Sequence, residues 1–168
     1  FYINADAVNG AGFVFITSID VYFKTKPNAT NNASGINNPG VTCFLCDVEG
    51  GVPSTFNIVM ESQVRLAYDR ITAVSDASVA TKVSFATPIA VNTDKHYGIV
   101  FVFDDPAYSL WYSKQGDRLV GTNTPSPGPS GKFNGDYYEF YNTTPASLAD
   151  RDLKMSVNVA KFSSNTVQ

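Results

Sequence analysis

The stretch IDVYFK at residues 19–24 decides the fold class of this chain. Its apolar residues Ile19, Val21 and Phe23 alternate with residues that can face water, which is the mark of a β-strand with one buried face. Near the other end of the chain, LKMSVNV at residues 153–159 repeats the same alternation. Both stretches therefore predict strands of a sheet that has one face in a core and the other in solvent.

The apolar residues of the whole chain are of kinds that favour β-structure. The 168 residues include 18 Val, 8 Ile and 14 Thr, but only 6 Leu and 2 Met. β-Branched side chains fit a pleated sheet, whereas the unbranched helix formers are scarce here. The composition therefore predicts an all-β protein.

Further strands are expected along the chain. Residues 96–103 (HYGIVFVF) are apolar on both faces, which predicts a strand in the middle of a sheet, covered on each side. Residues 63–69 resemble a helix, but their apolar residues fall at every second position and favour a strand. The remaining predicted strands span residues 1–4, 41–48, 56–60, 82–86, 108–113 and 137–141.

Turn signals separate these strands, among them NGAG at residues 9–12, EGGVP at 49–53 and DDP at 104–106. Roughly ten short strands with frequent turns predict one antiparallel β-sandwich or jelly-roll-like domain over residues 1–168.

Two long loops, at residues 27–40 and 121–136, interrupt this pattern, and loops of such length are usually functional or disordered. The second loop is rich in proline, so it is either an extended arm on this domain or a neighbouring subunit, or a surface loop.

Composition excludes several functions. The formal net charge is −3, from 12 Lys and Arg against 15 Asp and Glu, which argues against a nucleic-acid partner because phosphate binding needs clustered cations. No run approaches the ~18 consecutive apolar residues of a membrane helix, so we expect no membrane insertion. His96 is the single histidine, which excludes metal sites built from two or three imidazoles. We expect no metal and no cofactor.

Cys43 and Cys46 form a CxxC motif within a predicted strand. Residues three apart on a strand point to opposite faces, so neither a disulfide nor a shared metal forms easily there. A second CxxC that would complete a zinc site is absent from the sequence. We therefore interpret both residues as structural thiols buried in the fold.

Other polar residues have ordinary explanations. His96 opens a predicted strand, and a backbone group is expected to satisfy its ring because no nucleophile motif accompanies it. Asp104 and Asp105, with Asp94 nearby, could be calcium ligands, but the spacing matches no oxygen-rich calcium loop and acidic pairs before proline commonly begin turns. The carboxylates show no pairing typical of glycoside hydrolysis. The sequence therefore predicts no catalytic residue.

Aromatic residues concentrate at residues 108–112 and 133–141. Tyr and Trp suit protein interfaces and sugar faces, but in a sandwich most aromatics fill the space between the sheets. A core or subunit-interface role is therefore favoured. The alternative is a glycan platform or partner contact formed by Trp111 with Tyr112 or Tyr138.

Several phrases of the sequence together resemble virion structural proteins of large contractile-tailed bacteriophages, especially marine cyanophages. They extend over nearly the whole chain in consistent order, although the similar proteins carry a longer polar insert where residues 141–152 are short here. The phrases are ITSIDVYFKTKP at residues 16–27, DASVATKVSFATPIAV at 76–91, HYGIVFVF at 96–103, LWYSKQGDRLVGT at 110–122, SPGPSGKF at 126–133 and DLKMSVNVAKF at 152–162.

The resemblance implies a non-enzymatic β-sandwich module of a phage tail, baseplate or fibre, forming part of a longer virion protein that is assembled in the host cytoplasm. Its implied partners are other virion proteins and copies of itself, with three-fold symmetry suggested by fibre and baseplate parts. No catalytic or cofactor residue carries over from such proteins. A glycan-binding module that recognises a host surface is the alternative function, and a hydrolase of wall or capsule polymer is a third.

Overall fold

A computed structural model describes residues 1–114, 117–118, 137–141, 144–148 and 150–161. The described parts are all-β, as the composition predicts, with thirteen strands and two short 3₁₀ helices, Ala5–Val8 and Tyr68–Arg70. Sequence reasoning predicted about ten strands because it did not predict β11 and because single residues divide three of the predicted strands. The strands are β1 Phe13–Val21, β2 Phe23–Thr25, β3 Val41–Glu49, β4 Val52–Ile58, β5 Val64–Leu66, β6 Thr81–Asn92, β7 Tyr97–Phe103, β8 Ser109–Leu110, β9 Tyr112–Lys114, β10 Tyr137–Tyr141, β11 Thr144–Leu148, β12 Arg151–Leu153 and β13 Met155–Val159.

The first sheet has the order β13-β1-β6 with antiparallel pairing, and we call it the β1 sheet. The alternation that predicted its central strand is confirmed: Ile19, Val21 and Phe23 are fully buried, whereas the residues between them are partly or fully exposed. The alternation at residues 153–159 is confirmed as strand structure in β12 and β13. Strands of one sheet can therefore be predicted from the local periodicity of apolar residues in the sequence.

The second sheet is organised around β3, and we call it the β3 sheet. β7 pairs along one edge of β3, while β5 and then β4 pair along the other edge, all antiparallel. The prediction that residues 96–103 form a mid-sheet strand is wrong. Among the described strands β7 pairs with β3 alone, and Val102 and Phe103 at its end are exposed.

Two other predicted strands are only partly correct. Residues 63–69 form a strand at Val64–Leu66, but the chain then turns into the 3₁₀ helix Tyr68–Arg70, because a short apolar alternation does not determine where a strand ends. Residues 1–4 form a single bridge, in which Tyr2 pairs with His96 beside the start of β7. The N-terminal segment therefore covers part of the edge that β7 leaves open.

The two sheets share one hydrophobic core. Side chains of β1 and β6 pack with those of β3 and β5 in a single buried cluster, so the arrangement is sandwich-like. A smaller cluster of Phe44, Cys46 and Val100 is buried separately from this core. The fully buried apolar residues of the main core include Ile16, Ile19, Val21, Phe23, Val41, Cys43, Leu45 and Val83.

Three pairs of consecutive strands meet at one junction. In each pair, a single residue separates the two strands. The Trp111 N–H donates to the Tyr22 carbonyl at 2.8 Å, and the Lys154 N–H donates to the Trp111 carbonyl at 3.0 Å. These residues separate β1 from β2, β8 from β9 and β12 from β13. The junction joins the β1 sheet to the β2–β8 and β9–β12 pairs.

The predicted loop at residues 27–40 is an ordered connection between β2 and β3, and we call it the anchored loop. Asp105 accepts hydrogen bonds from the Ser34 and Ala107 N–H groups, each at 2.8 Å, and Asp104 accepts one from the Gly40 N–H at 2.8 Å. These contacts tie the loop to the turn that follows β7. The second predicted loop, at residues 121–136, lies outside the described residues.

Within the described ranges, no helix combines the length and apolar character needed to cross a membrane.

Candidate interaction surface

A long bulge in β4 distinguishes one end of the β3 sheet. Gly50 and Gly51 form the β3–β4 turn with φ of +57° and +84°, values that glycine adopts without steric cost. Register then breaks: the four residues 54–57 stand opposite the single residue Asp47 of β3. β-Bulges are frequent at sheet edges and next to functional sites, so this departure from regular pairing makes the segment a candidate functional region.

The bulge and the residues that follow it present apolar side chains to solvent. Phe56 is 94% exposed, Met60 is 83% exposed and Ile58 is 43% exposed. Phe56 and Ile58 lie in β4, and Met60 lies in the turn that follows it. We call residues 54–60 the apolar ridge, because an exposed aromatic together with two exposed aliphatic side chains is unusual on a surface that only water contacts.

A second bulge lies beside the ridge. In β6, residues 85–88 stand opposite the single β1 residue Thr17, and the Thr87 hydroxyl donates to Glu61 Oε2 at 2.8 Å. A shallow cleft of about 340 Å³ lies between the segments that follow the two bulges. It is lined by Val59, Met60, Glu61, Pro88, Ile89 and Ala90.

The apolar ridge contains no charged residue. The sequence has no charged residue between Glu49 and Glu61. Neither carboxylate forms an ion pair within the described part of the chain, although Glu49 accepts a hydrogen bond from the Asn57 amide and Glu61 accepts the one from Thr87. The ridge is therefore uncharged, with Glu49 of β3 beside Asn57 and Glu61 directly after Met60.

Trp111 has a structural partner for its polar edge. The indole N–H donates to the Val74 carbonyl at 2.9 Å, and the Lys24 ammonium lies 5.0 Å from the ring centroid. The side chain is half-buried. These contacts make Trp111 a support for the segment that follows β5, and they occupy the N–H group that a sugar hydroxyl would use.

Tyr112 and Tyr138 have different neighbours from Trp111. Tyr112 is 43% exposed, with the Arg151 guanidinium 5.0 Å from its ring centroid and the Tyr137 ring centroid at 6.0 Å. The Tyr138 hydroxyl donates to the Gly51 carbonyl at 2.6 Å. The described contacts therefore link each of the three residues predicted to contact a glycan to different neighbours in the fold.

Both cysteines lie in β3, as predicted, and both are free and buried. Cys43 belongs to the main core, whereas Cys46 belongs to the smaller cluster with Phe44 and Val100. Burial raises the pKa of Cys43 to about 12, and burial together with nearby Asp47 raises the pKa of Cys46. The separation of the two thiols confirms that residues three apart on this strand face different environments.

The prediction for His96 is wrong in one respect. The side chain is exposed and its ring lies 4.9 Å from the Tyr2 ring, so water can satisfy it and no backbone partner is needed. Sequence reasoning placed it at a buried strand end because the strand that follows is apolar.

The acidic residues that resembled calcium ligands serve other contacts. Asp104 pairs with the Arg65 guanidinium, Asp105 holds the anchored loop, and Asp94 accepts a hydrogen bond from the Tyr2 hydroxyl at 2.9 Å. In the ranges that the structure covers, no three His, Cys, Asp or Glu side chains come together in a way that could hold a metal ion.

Sequence reasoning missed the apolar ridge. It interpreted residues 56–60 as one more strand, and a run such as FNIVM is equally typical of a buried strand. The absence of charge from Gly50 to Met60 was a signal in the sequence, but only the structure shows that Phe56, Ile58 and Met60 are exposed while Val59 packs against the core.

Comparisons with known proteins add no relative: no family model matches the chain, and neither a curated protein nor a solved structure matches it significantly.

Proposed function

We propose that this chain is a non-enzymatic structural component of a phage tail, baseplate or fibre, and that it acts through protein–protein contacts. The assignment to a virion rests on the resemblance of its sequence phrases to contractile-tailed phage proteins. The contact role rests on one observation, the apolar ridge with Phe56 almost fully exposed at the edge of the β3 sheet.

The physical reason is the cost of leaving that surface in water. Exposed contiguous apolar patches on soluble domains usually mark interaction sites, because covering them removes apolar area from water. A sheet edge is also a rigid platform, so a partner meets a surface that needs little ordering on binding. The ridge therefore supports an assembly role better than a catalytic one.

Proteomic analysis of purified virions tests the proposal. We expect peptides of this chain in intact particles of the phage that encodes it, at a copy number that is a multiple of the tail symmetry. The matched control is the infected-cell lysate from which the particles were purified. Detection in the lysate together with absence from the particles would contradict the assignment.

A glycan-binding role is the second candidate, and Tyr112 is the observation that favours it. The ring is partly exposed and lies between a cation and a second tyrosine, an arrangement that can contact a sugar face. Trp111 supports this role less, since its N–H already bonds to Val74. A glycan array with the wild-type chain and Tyr112→Ala tests it, and binding that depends on Tyr112 would favour this role over the first.

A further inference from the structure

We propose that residues 71–80, between the 3₁₀ helix Tyr68–Arg70 and β6, form a strap whose closure over one edge of β2 is coupled to the docking of β12 and β13. Lys154, the residue between β12 and β13, is the latch that couples the two events. This conformational device goes beyond the assembly role proposed above and does not rest on it.

The strap covers the edge of β2 that β8 leaves open. β8 pairs with β2 at Phe23, and the strap residue Ala73 forms a parallel bridge with the same Phe23. The Val74 N–H donates to the Phe23 carbonyl at 3.1 Å. An uncovered edge presents N–H and C=O groups with which another chain can pair, so the closed strap protects β2.

Side chains from three other segments hold the strap by its backbone. Three strap carbonyls, spaced three residues apart, each accept a hydrogen bond from one of them. The pairs are the Lys26 ammonium with Ile71 at 3.0 Å, the Trp111 indole N–H with Val74 at 2.9 Å and the Lys154 ammonium with Ala77 at 2.7 Å. Apart from the buried Ile71 and Ala77, the strap residues are partly or fully exposed, so the strap can open locally without unfolding the core.

Lys154 reaches the strap from the junction between the β1 sheet and the strand pairs. Its N–H donates to the Trp111 carbonyl at 3.0 Å, and its ammonium lies 4.2 Å from the centroid of the Tyr22 ring. These contacts require that β12 and β13 lie in place beside β1 and β9. The ammonium of Lys154 is therefore available to the Ala77 carbonyl only in the docked arrangement.

The strap is strained where Lys154 holds it. Ala77 has a φ of +56°, in the left-handed region that residues with a Cβ rarely adopt. The Asp76 carboxylate accepts hydrogen bonds from the Ser78 N–H at 3.0 Å and the Ser78 hydroxyl at 2.7 Å, which forms a local turn around Ala77. Such a conformation persists where its surroundings fix it, so removing Lys154 favours the open strap.

Hydrogen exchange of the backbone amides measures the opening of the strap. Lys154→Met removes the ammonium but keeps most of the aliphatic chain, and we expect the Val74 amide to exchange roughly tenfold faster or more, because hydrogen bonds from charged groups are strong. Lys82→Met is the matched control, since Lys82 is exposed in β6 and forms no hydrogen bond with the strap among the described residues. Amides of the β3–β7 pair should keep wild-type exchange and verify that the variants fold.

Two further variants test the coupling, which must be reciprocal. Asn158→Ala removes the hydrogen bonds that this β13 side chain donates to Ser18 and Asp20 in β1, and it should speed exchange of the distant Val74 amide several-fold. Trp111→Phe removes the indole donor, and the amide that follows β13 should then exchange faster. That amide belongs to Ala160 and donates to the Phe15 carbonyl at 2.8 Å in the closed structure.

Tryptophan fluorescence gives a second measurement, because Trp111 is the single tryptophan of the chain. Opening of the strap removes the Val74 carbonyl from the indole, so the emission should move to longer wavelength in Asn158→Ala. Lys82→Met should keep the wild-type spectrum.

Each result decides the inference. Wild-type exchange of Val74 in Lys154→Met overturns the latch. Wild-type exchange of Val74 in Asn158→Ala, or of Ala160 in Trp111→Phe, overturns the coupling, and these two variants decide the inference if Lys154→Met does not fold. None of these results bears on whether the chain is present in virions.

Discussion

The two ends of the β3 sheet differ in whether their surface groups have partners within the chain. At one end, the anchored loop covers the sheet and its polar groups are matched internally by Asp104, Asp105 and the Tyr108 hydroxyl. At the other end, the apolar ridge bulges away from β3 and leaves Phe56 in water. A long irregular segment is therefore not by itself an interaction site. The ridge is a candidate because Phe56 and Met60, unlike the polar groups of the loop, remain largely exposed to water.

The largest expected effect concerns the base of the ridge. A Cβ at Gly98 would lie 2.7 Å from Cys46 Sγ and 2.8 Å from Pro53 Cβ, so β7, β3 and β4 pack closely there only because residue 98 is glycine. Gly98→Ala should lower the free energy of unfolding by about 1–3 kcal/mol through overpacking. Gly12→Ala is the control, since a Cβ at Gly12 meets nothing within 4 Å. Equal denaturant midpoints for the two variants would show that the base of the ridge is loosely packed.

A smaller effect is expected in the anchored loop. The buried Tyr108 hydroxyl donates to the Pro39 carbonyl, which lies at the end of the loop. Tyr108→Phe removes this hydrogen bond without changing the ring, and it should cost about 1 kcal/mol in urea denaturation. Tyr112→Phe is the matched variant with a partly exposed ring, for which we expect no comparable loss. A neutral Tyr108→Phe would mean that the other contacts of the loop, among them those of Asp104 and Asp105, hold it without this hydrogen bond.

Acid should loosen the anchored loop before it affects the ridge. The Arg65 hydrogen bond lowers the pKa of Asp104. For Asp105, burial raises the pKa, but the hydrogen bonds from Ala107 and Ser34 together outweigh it, so the pKa is also lowered. A carboxyl with a lowered folded-state pKa contributes stability above its unfolded value near about 4 and loses it as the pH falls through the folded pKa.

Thermal melts of wild type and Asp105→Asn between neutral pH and pH about 2 measure this contribution. We expect a lower Tm for the variant at neutral pH and a smaller difference in acid, because the wild-type carboxyl is then protonated as well. Asp69→Asn is the control at a second acidic residue, one that does not hold the loop. Parallel Tm curves for wild type and Asp105→Asn would exclude a role for this carboxylate in acid sensitivity.

The smallest effect on stability is expected at the ridge itself. Phe56→Ser removes an exposed side chain, so the free energy of unfolding should change by no more than about 0.5 kcal/mol. Binding of a hydrophobic dye to the native protein should nevertheless decrease, since the most exposed apolar side chain of the ridge is lost. A large fall in stability would instead place Phe56 in the packing of the monomer.

Local pattern predicted much of the fold because the responsible forces act between neighbours in sequence. The buried faces of β1 and β2 follow from an alternation of period two, and the placement of Cys43 and Cys46 in different clusters follows from the same strand geometry. The glycine turn between β3 and β4 likewise follows from the conformations that only glycine adopts freely.

The candidate site could not be predicted in this way. HYGIVFVF and FNIVM are both apolar runs, yet the first lies on the edge of the β3 sheet and the second projects from it as the ridge. Trp111 was predicted as a possible sugar contact, and only its hydrogen bond to Val74 shows that it supports the fold.

The amino-acid sequence alone determined that this chain forms strands with one buried face, glycine turns and two buried structural thiols, because side-chain size, branching and backbone freedom act residue by residue. Only the tertiary structure decided which strand is central, where β4 and β6 bulge, and that Phe56 faces water while Phe44 does not. Those outcomes depend on which distant segments pair with one another, and pairing is decided by the packing of the whole core.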